Sequence, residues 1–542
     1  MRSHVTVVMA QIDPVVGDIS GNVTRIIEAC QQAKRNSSAD IIVFPEMTIT
    51  GYPPEDLLLR EGLFPQVNQA LSDICAQVKD IVCVVGYPMK DSLGECFNMA
   101  AWIEEGSIQA CYMKQNLPNY SVFDEQRYFE AGDRPCVVEY KGICFGLLIC
   151  EDIWKISPAT QAKEAGADVI LSLNASPFSA EKHQDRLSMI QRRVDEVGLP
   201  VIYINQVGGQ DELVFDGGSF AMNTQGQVCV QSPEFTPALS AVTLVKQGET
   251  IEMQRGDIAQ LYEDEARVYQ ALIMGVKDYV AKNGFSGVLI GLSGGIDSAL
   301  TLAVAVDALG AENVEAVMMP FRYTAEISKE DAALQAKTLH VKYQSIPIEE
   351  TYLAFEKALS PRFEGLDADV TEENLQARIR GTLLMAISNK TGKMVLATSN
   401  KSEVAVGYST LYGDMVGGFS PLKDVPKTLV YRLAEYRNSL SPVIPERVIT
   451  RAPSAELRPD QVDQDSLPDY DVLDAIIKAY VKYDQTPEQI CALGFPEQEV
   501  LRVIKMMDRN EYKRRQAAPG VKITHRAFGR DRRYPITSGY SE

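Results

Sequence analysis

Histidine is scarce in this sequence, with 4 in 542 residues, and the 10 cysteines include no Cys-x-x-Cys pair. The ligand spacings of structural zinc sites are therefore missing. The thiols read as reduced and mostly buried, which fits a cytoplasmic setting. No stretch approaches the roughly 18–20 apolar residues of a membrane-spanning helix, so no membrane partner is expected. The N-terminal apolar run Val5–Ala10 is too short for a signal-peptide core and lacks a convincing cleavage site; it reads as a first strand. Positive charge is in deficit, 53 Lys and Arg against 73 Asp and Glu, for a net charge of −20. Such an acidic surface argues against wrapping nucleic acid, but not against a local pocket for a phosphate-bearing small molecule. No Gly-x-x-x-x-Gly-Lys-Ser/Thr string occurs, which excludes an ordinary Walker A loop. Tandem repeats and low-complexity tracts are absent too.

What is present is enough apolar residue, 45% of the chain, for two large cores. The first part alternates short apolar runs with amphipathic stretches. Ile41–Phe44, Ile81–Val85, Ile143–Ile149, Val169–Leu173 and Val201–Ile204 read as buried strands. Val23–Arg35 and Pro65–Val78 read as helices, and Glu105-Gly106 as a hairpin turn. The pattern dissolves near 247–257, and a helical segment 260–282 follows. This gives a domain over 1–250, a linker over 251–270 and a second domain over 271–542. The second opens with strand Gly287–Ile290, a Gly-rich loop, helix Ser298–Leu309, strand Val314–Met319 and helix Lys329–Leu339, with a later strand Lys393–Ala397. That order is a doubly wound parallel-sheet α/β domain.

The Gly-rich loop is Ser293-Gly294-Gly295-Ile296-Asp297-Ser298. Two glycines permit a tight turn and expose backbone N–H groups, and the following helix aims its positive end at the same point. Two serine hydroxyls complete an anion nest. Asp297 alone would repel phosphate, so a Mg²⁺ ion between them is the simplest reconciliation. The string, set between strand and helix, resembles the PP-loop of the ATP pyrophosphatase superfamily (adenine nucleotide alpha hydrolase-like). That resemblance implies ATP as co-substrate, cleaved between its α- and β-phosphates.

Further on come Glu373-Asn374-Leu375-Gln376-Ala377-Arg378-Ile379-Arg380, Thr398-Ser399-Asn400-Lys401-Ser402-Glu403, Gly413-Asp414 and Pro453-Ser454-Ala455-Glu456-Leu457. From about residue 270 onward this series is similar to the synthetase domain of the NAD synthetase family. The resemblance implies that Ser293 to Ser298 and Thr398 bind ATP and that Asp297 and Glu403 share Mg²⁺. It implies that Asn374, Arg378, Glu403, Asp414, Lys423 and Lys513 serve deamido-NAD. The chemistry suits these residues: the substrate carboxylate attacks the α-phosphorus, pyrophosphate leaves, and ammonia displaces AMP from the acyl-adenylate. No protein nucleophile is needed. Each residue also has a plainer reading. Asn374 could cap a helix over 374–390, Glu403 could be a first-turn carboxylate and Lys423 a surface charge. The basic C-terminal run through Lys513, Arg514, Arg515, Lys522 and Arg526 to Arg533 is either a solvated tail or a flap facing phosphate or a second subunit.

The first domain offers a source of nitrogen. Glu46 follows the strand Ile41–Phe44, Lys114 lies after Tyr112-Met113, and Cys150 ends the strand Ile143–Ile149. A thiolate can attack a carboxamide, a carboxylate can move the proton, and an ammonium can stabilise the oxyanion beside a backbone N–H. In this order the three resemble the triad of the nitrilase, or carbon–nitrogen hydrolase, superfamily, with Glu125 matching its second glutamate. This implies a four-layer α-β-β-α sandwich, and Tyr120, Ser176 and Lys182 match glutamine-holding positions of the fused enzymes. The other cysteines read as small buried hydrophobes. The two resemblances meet in the glutamine-dependent NAD synthetase family, whose members imply a homo-oligomer paired through the synthetase domain. A PP-loop amidotransferase acting on another carboxylate, and a non-catalytic module, are the rival readings.

Overall fold

The structure is a computed structural model that describes residues 2–459 and 461–540. The chain divides into two compact units, Met1–Tyr262 and Glu263–Glu542.

The first unit is built on two sheets. One has seven strands, in the order Thr250–Met253, Ala238–Gln247, Arg2–Gln11, Ile41–Val43, Val82–Lys90, Cys96–Glu104 and Ser107–Met113. The other has six, in the order Val228–Gln231, Phe220–Met222, Val201–Asn205, Val169–Asn174, Ile143–Ile149 and Val137–Tyr140. Central strands of both are parallel and the rims antiparallel. Neighbours in sequence point to opposite faces. Val7 and Val43 therefore join Phe145, Leu147 and Leu171 in the core between the sheets. Val8 and Ile42 turn the other way and meet Ile26, Val67 and Ile74 of helices Ile19–Ser37 and Leu63–Gln77. Ala159, Ile190 and Val194, from helices Ile156–Glu164 and Lys182–Val197, cover the six-stranded sheet. The result is the four-layer α-β-β-α sandwich that the resemblance implied. The segment in which the apolar pattern faded holds a strand, Thr250–Met253, paired antiparallel with Ala238–Gln247. It is an edge strand with Thr250 and Glu252 exposed, so it carries too few apolar residues to show in the sequence.

The second unit contains a four-stranded parallel sheet, ordered Lys342–Ser345, Val314–Met318, Val288–Gly291 and Met394–Leu396. The chain winds outward from Val288–Gly291 in one direction and then returns to add Met394–Leu396 on its other side. The switch point of this doubly wound sheet thus lies between those two strands, where ligands of open α/β sheets bind. The helix after the Gly-rich loop starts at Ile296, two residues earlier than the pattern indicates. Asn374 is not a helix cap: Val370–Thr391 is capped by Asp369 in a capping box with Glu372, which leaves Asn374 within the helix.

The basic C-terminal run is not a solvated tail. Arg514 and Arg532 both bind the Glu511 carboxylate, at 2.8 and 3.2 Å, and Lys522 reaches Asp531 at 3.4 Å. Thr524 and Lys401 close on Asp424. These cations neutralise acids of their own unit. Among the described residues, no helix is long and apolar enough to cross a membrane.

Candidate active sites

In the first unit, the six-stranded sheet delivers Cys150 to the end of strand Ile143–Ile149. Its φ of 45° lies in the left-handed region, so the chain turns sharply into the short helix Glu151–Trp154. A non-glycine held there is strained, and strain of this kind gathers at functional positions. The seven-stranded sheet supplies the charged groups. Lys114 Nζ lies 2.6 Å from Glu46 Oε1 and 2.8 Å from Glu125 Oε2, and the side chains of Lys114 and Glu46 have no solvent exposure. Asn98 Nδ2 donates to Glu46 Oε1 at 2.7 Å, and the Ala175 N–H to Oε2 at 3.2 Å. The Tyr52 hydroxyl donates to Glu125 at 2.8 Å.

Burial works against the Lys114 ammonium, but Glu125 and Glu46 outweigh it and raise its pKa well above the ordinary value. Burial lifts the Glu125 carboxyl to about 7, against the pull of Lys114 and with the help of Glu46. The Cys150 thiol is pushed up by burial and by Glu46, with Lys114 opposing. An ammonium held between two buried carboxylates beside a thiol is a set of groups that can move a proton and stabilise an oxyanion in amide hydrolysis.

The three expected glutamine contacts surround this centre. The Tyr120 hydroxyl donates to Glu151 Oε2 at 2.8 Å. Ser176 is buried, its hydroxyl accepting from Arg186 Nε at 3.2 Å and its N–H donating to Asn205. Lys182 Nζ stands 4.3 Å from the centre of the Trp154 ring, and burial and Arg186 lower its pKa.

In the second unit, a cavity of about 280 Å³ opens at the sheet switch point. Ser293, Gly295, Ile296, Asp297, Ser298, Thr398, Glu403 and Asp414 all line it. Within the loop, the Gly295 N–H donates to Ser293 Oγ at 3.2 Å, and the two serine hydroxyls lie 3.1 Å apart. Gly294 has φ +84°, and a Cβ there would stand 2.4 Å from the Ser328 carbonyl oxygen, so only glycine fits. Burial lifts the Asp414 carboxyl to about 6, and its oxygen accepts the Thr410 N–H.

The remaining expected contacts do not line the cavity. Asn374 Oδ1 accepts the Thr410 hydroxyl at 2.8 Å. Lys513 Nζ donates to the carbonyls of Gly407 and Ser409, and burial lowers its pKa. Lys423 is buried. Arg378 is exposed and donates to the Leu411 carbonyl.

Three cations lining the cavity were not singled out in the sequence, among them Arg451, which donates to the Gly294 carbonyl at 3.3 Å. Arg380 lines the cavity, and burial lowers its guanidinium to about 10. Lys427 places its ammonium 2.5 Å from Asp297 Oδ2 and 3.1 Å from Glu403 Oε1. Burial lifts the Glu403 carboxyl to about 8; Lys427 opposes that shift and Asp297 adds to it. The alternation of residues on helix Val370–Thr391 could have pointed to Arg380, since Ala377, Arg380, Gly381 and Leu384 form one face. Nothing local marks Lys427. Among the described residues, no three or more His, Cys, Asp or Glu side chains gather as a metal site.

A strained cysteine with a buried Glu-Lys-Glu set on a four-layer sandwich, fused to a PP-loop nucleotide domain, defines an amidotransferase-type architecture. The comparisons agree: residues 6–250 match the carbon-nitrogen hydrolase family and residues 268–517 the NAD synthase family. The chain is 51% identical to the glutamine-dependent NAD(+) synthetase of Acinetobacter baylyi, over 98% of each chain. It is 49% identical to that of Xanthomonas campestris, over 100% of each. The solved Acinetobacter baumannii enzyme, in complex with ADP, is 49% identical with a TM-score of 0.81 over 99% of each chain. The Cytophaga hutchinsonii enzyme shares the fold, with a TM-score of 0.84 at 22% identity over 99% of this chain and 98% of that one. The chain belongs to the glutamine-dependent NAD(+) synthetase family.

Gly86 tests the packing behind Glu46. A Cβ there would stand 2.4 Å from the Met47 nitrogen and 2.9 Å from the Glu46 carbonyl carbon. Gly86→Ala is expected to displace the Glu46 loop, at about 1–3 kcal/mol of overpacking. Glutamine hydrolysis should fall about 10-fold or more while ammonia-driven turnover by the second unit persists; steady-state assays with each nitrogen source check it.

Proposed function

We propose that this protein amidates deamido-NAD to NAD, with glutamine as nitrogen donor and ATP as co-substrate. One observation carries this reading: a complete thiol hydrolase centre and a PP-loop cavity reside in one chain. In the first unit Cys150 attacks the glutamine carboxamide, with Glu46 moving the proton. Lys114 and a backbone N–H stabilise the oxyanion. Ammonia leaves, and water releases glutamate from the thioester. Tyr120, Ser176 and Lys182 hold the amino acid end, where the Lys182 ammonium suits an α-carboxylate.

In the second unit the Ser293 to Ser298 loop and Thr398 hold ATP, and Asp414 faces deamido-NAD with Asn374, Arg378, Glu403, Lys423 and Lys513 assigned beside it. The substrate carboxylate attacks the α-phosphorus, pyrophosphate leaves, and ammonia then displaces AMP from the adenylate. Arg380, underneutralised and facing the cavity, adds positive charge where negative charge accumulates.

Asp297 and Glu403 fit Mg²⁺. Hard carboxylate oxygens supplemented by substrate phosphates are its usual ligands, and the Lys427 ammonium between them marks a position built for a cation. Mg²⁺ bound there would neutralise the departing pyrophosphate. Lys427 meanwhile keeps the two acids together.

We also propose self-association through the synthetase unit. Helix Glu349–Phe363 buries only Tyr352, while Phe355 is 47%, Leu366 70% and Val370 64% exposed. Large exposed apolar side chains of this kind favour an interaction surface, and a second copy of the chain is the occupant that supplies matching apolar groups.

Three outcomes follow. Cys150→Ala should abolish glutamine-driven synthesis and leave ammonia-driven synthesis intact; loss of both would refute the division of labour. Asp297→Asn should lower synthesis from either nitrogen source about 10²-fold and weaken Mg²⁺ dependence, while glutamine hydrolysis continues. Unchanged Mg²⁺ titrations would remove the metal assignment. Leu366→Glu with Phe355→Glu should shift the sedimentation coefficient toward the monomer, and an unchanged value would place the interface elsewhere.

A further inference from the structure

We propose that Asp152 is a positioning residue that locks Lys114 in register with the Cys150 elbow. The proposal rests on the first unit being the glutaminase.

Asp152 lies two residues after Cys150 and has no solvent exposure. Its carboxylate accepts five hydrogen bonds. Oδ1 takes the N–H of Gln115 at 3.1 Å, the N–H of Asn116 at 2.7 Å and the Asn116 side-chain amide at 3.0 Å. Oδ2 takes the Tyr112 hydroxyl at 2.9 Å and the Ile149 N–H at 3.2 Å. The donors come from two places. Ile149 immediately precedes the nucleophile and ends a strand of the six-stranded sheet. Tyr112, Gln115 and Asn116 bracket Lys114 at the end of a strand of the seven-stranded sheet. A single carboxylate therefore ties the two sheets together where they present the nucleophile and the ammonium.

All five partners donate, so an ionised carboxylate, which only accepts, satisfies them together. Burial lifts the carboxyl to about 6, with Lys114 and the donated hydrogen bonds opposing. The arrangement is thus held in its ionised form at neutral pH by the groups it organises. Glu46 and Glu125 fix the ammonium of Lys114, and Asp152 fixes the backbone of the two residues that follow it, Gln115 and Asn116. The contacts assigned to glutamine itself, at Tyr120, Ser176 and Lys182, include none with Asp152.

This arrangement separates positioning from general stability. Asp152→Asn keeps the shape but offers an amide donor to a ring of donors. The Tyr112 hydroxyl can turn and the Asn116 amide can flip to accept it, but the three backbone N–H groups of Gln115, Asn116 and Ile149 cannot. Displacing an oxyanion-stabilising group by an ångström costs on the order of 10²-fold. Asp152→Asn should therefore lower kcat for glutamine hydrolysis about 10–100-fold, with KM for glutamine held within about 3-fold. Tyr112→Phe removes one donor of the five and should show the same pattern at about 3–10-fold. Far-UV circular dichroism and the thermal melting of each variant report a folded first unit, and if Asp152→Asn does not fold, Tyr112→Phe decides. The proposal is overturned if kcat stays within about 3-fold of wild type, or if KM rises in step with the fall in kcat. Absence of glutamine hydrolysis in the wild type would instead overturn the glutaminase reading.

Discussion

The first unit depends on one buried charge. An ammonium taken out of water is costly unless paired at close range, and removing one partner of such a set leaves an uncompensated charge, at about 3–5 kcal/mol. Lys114 meets that requirement with two acids, Glu46 and Glu125, within 2.8 Å. The acids then need their own partners: Asn98 and the Ala175 N–H for Glu46, Tyr52 for Glu125. Those partners come from separate places: Asn98 from strand Cys96–Glu104, Tyr52 from the segment after Ile41–Val43 and Ala175 from the segment after Val169–Asn174. Satisfying the lysine thereby ties segments of both sheets together.

The second unit uses a related device for a different purpose. Lys427 sits between Asp297 and Glu403, again a cation between two carboxylates. The Lys114 cluster is sealed from water, with the Lys114 and Glu46 side chains fully buried. The Lys427 cluster lines an open cavity, and its acids are partly exposed. The Ser293 to Ser298 loop sets backbone N–H groups at the start of a helix, an arrangement that attracts anions.

Some of this was legible residue by residue. The Ser-Gly-Gly-x-Asp-Ser string carries its own geometry, since Gly294 must adopt positive φ and the helix must start within two residues. Cys150 at a strand end is likewise a local feature. Other elements were hidden for physical reasons. The strand Thr250–Met253 lies at a sheet edge and exposes alternate residues, so its periodicity is weak. Arg378 and Arg380 are two residues apart on one helix, about 200° around its axis. Composition does not separate them; the helix face shared with Ala377, Gly381 and Leu384 carries Arg380 to the cavity. The C-terminal basic run left a solvated tail and a flap both open because its distant pairings, Arg532 with Glu511 and Thr524 with Asp424, form only on folding.

The sequence by itself determined the two α/β units, the phosphate loop and the strand-end position of Cys150. Each of these is encoded by a short segment or a hydrophobic period. Tertiary structure decided which charges meet. Lys427 is 130 residues from Asp297, and Asp152 is 36 residues from Asn116. Pairings over such separations leave no local signature. They exist because buried charges must be matched, and only the folded sheets and helices bring the matching groups within reach.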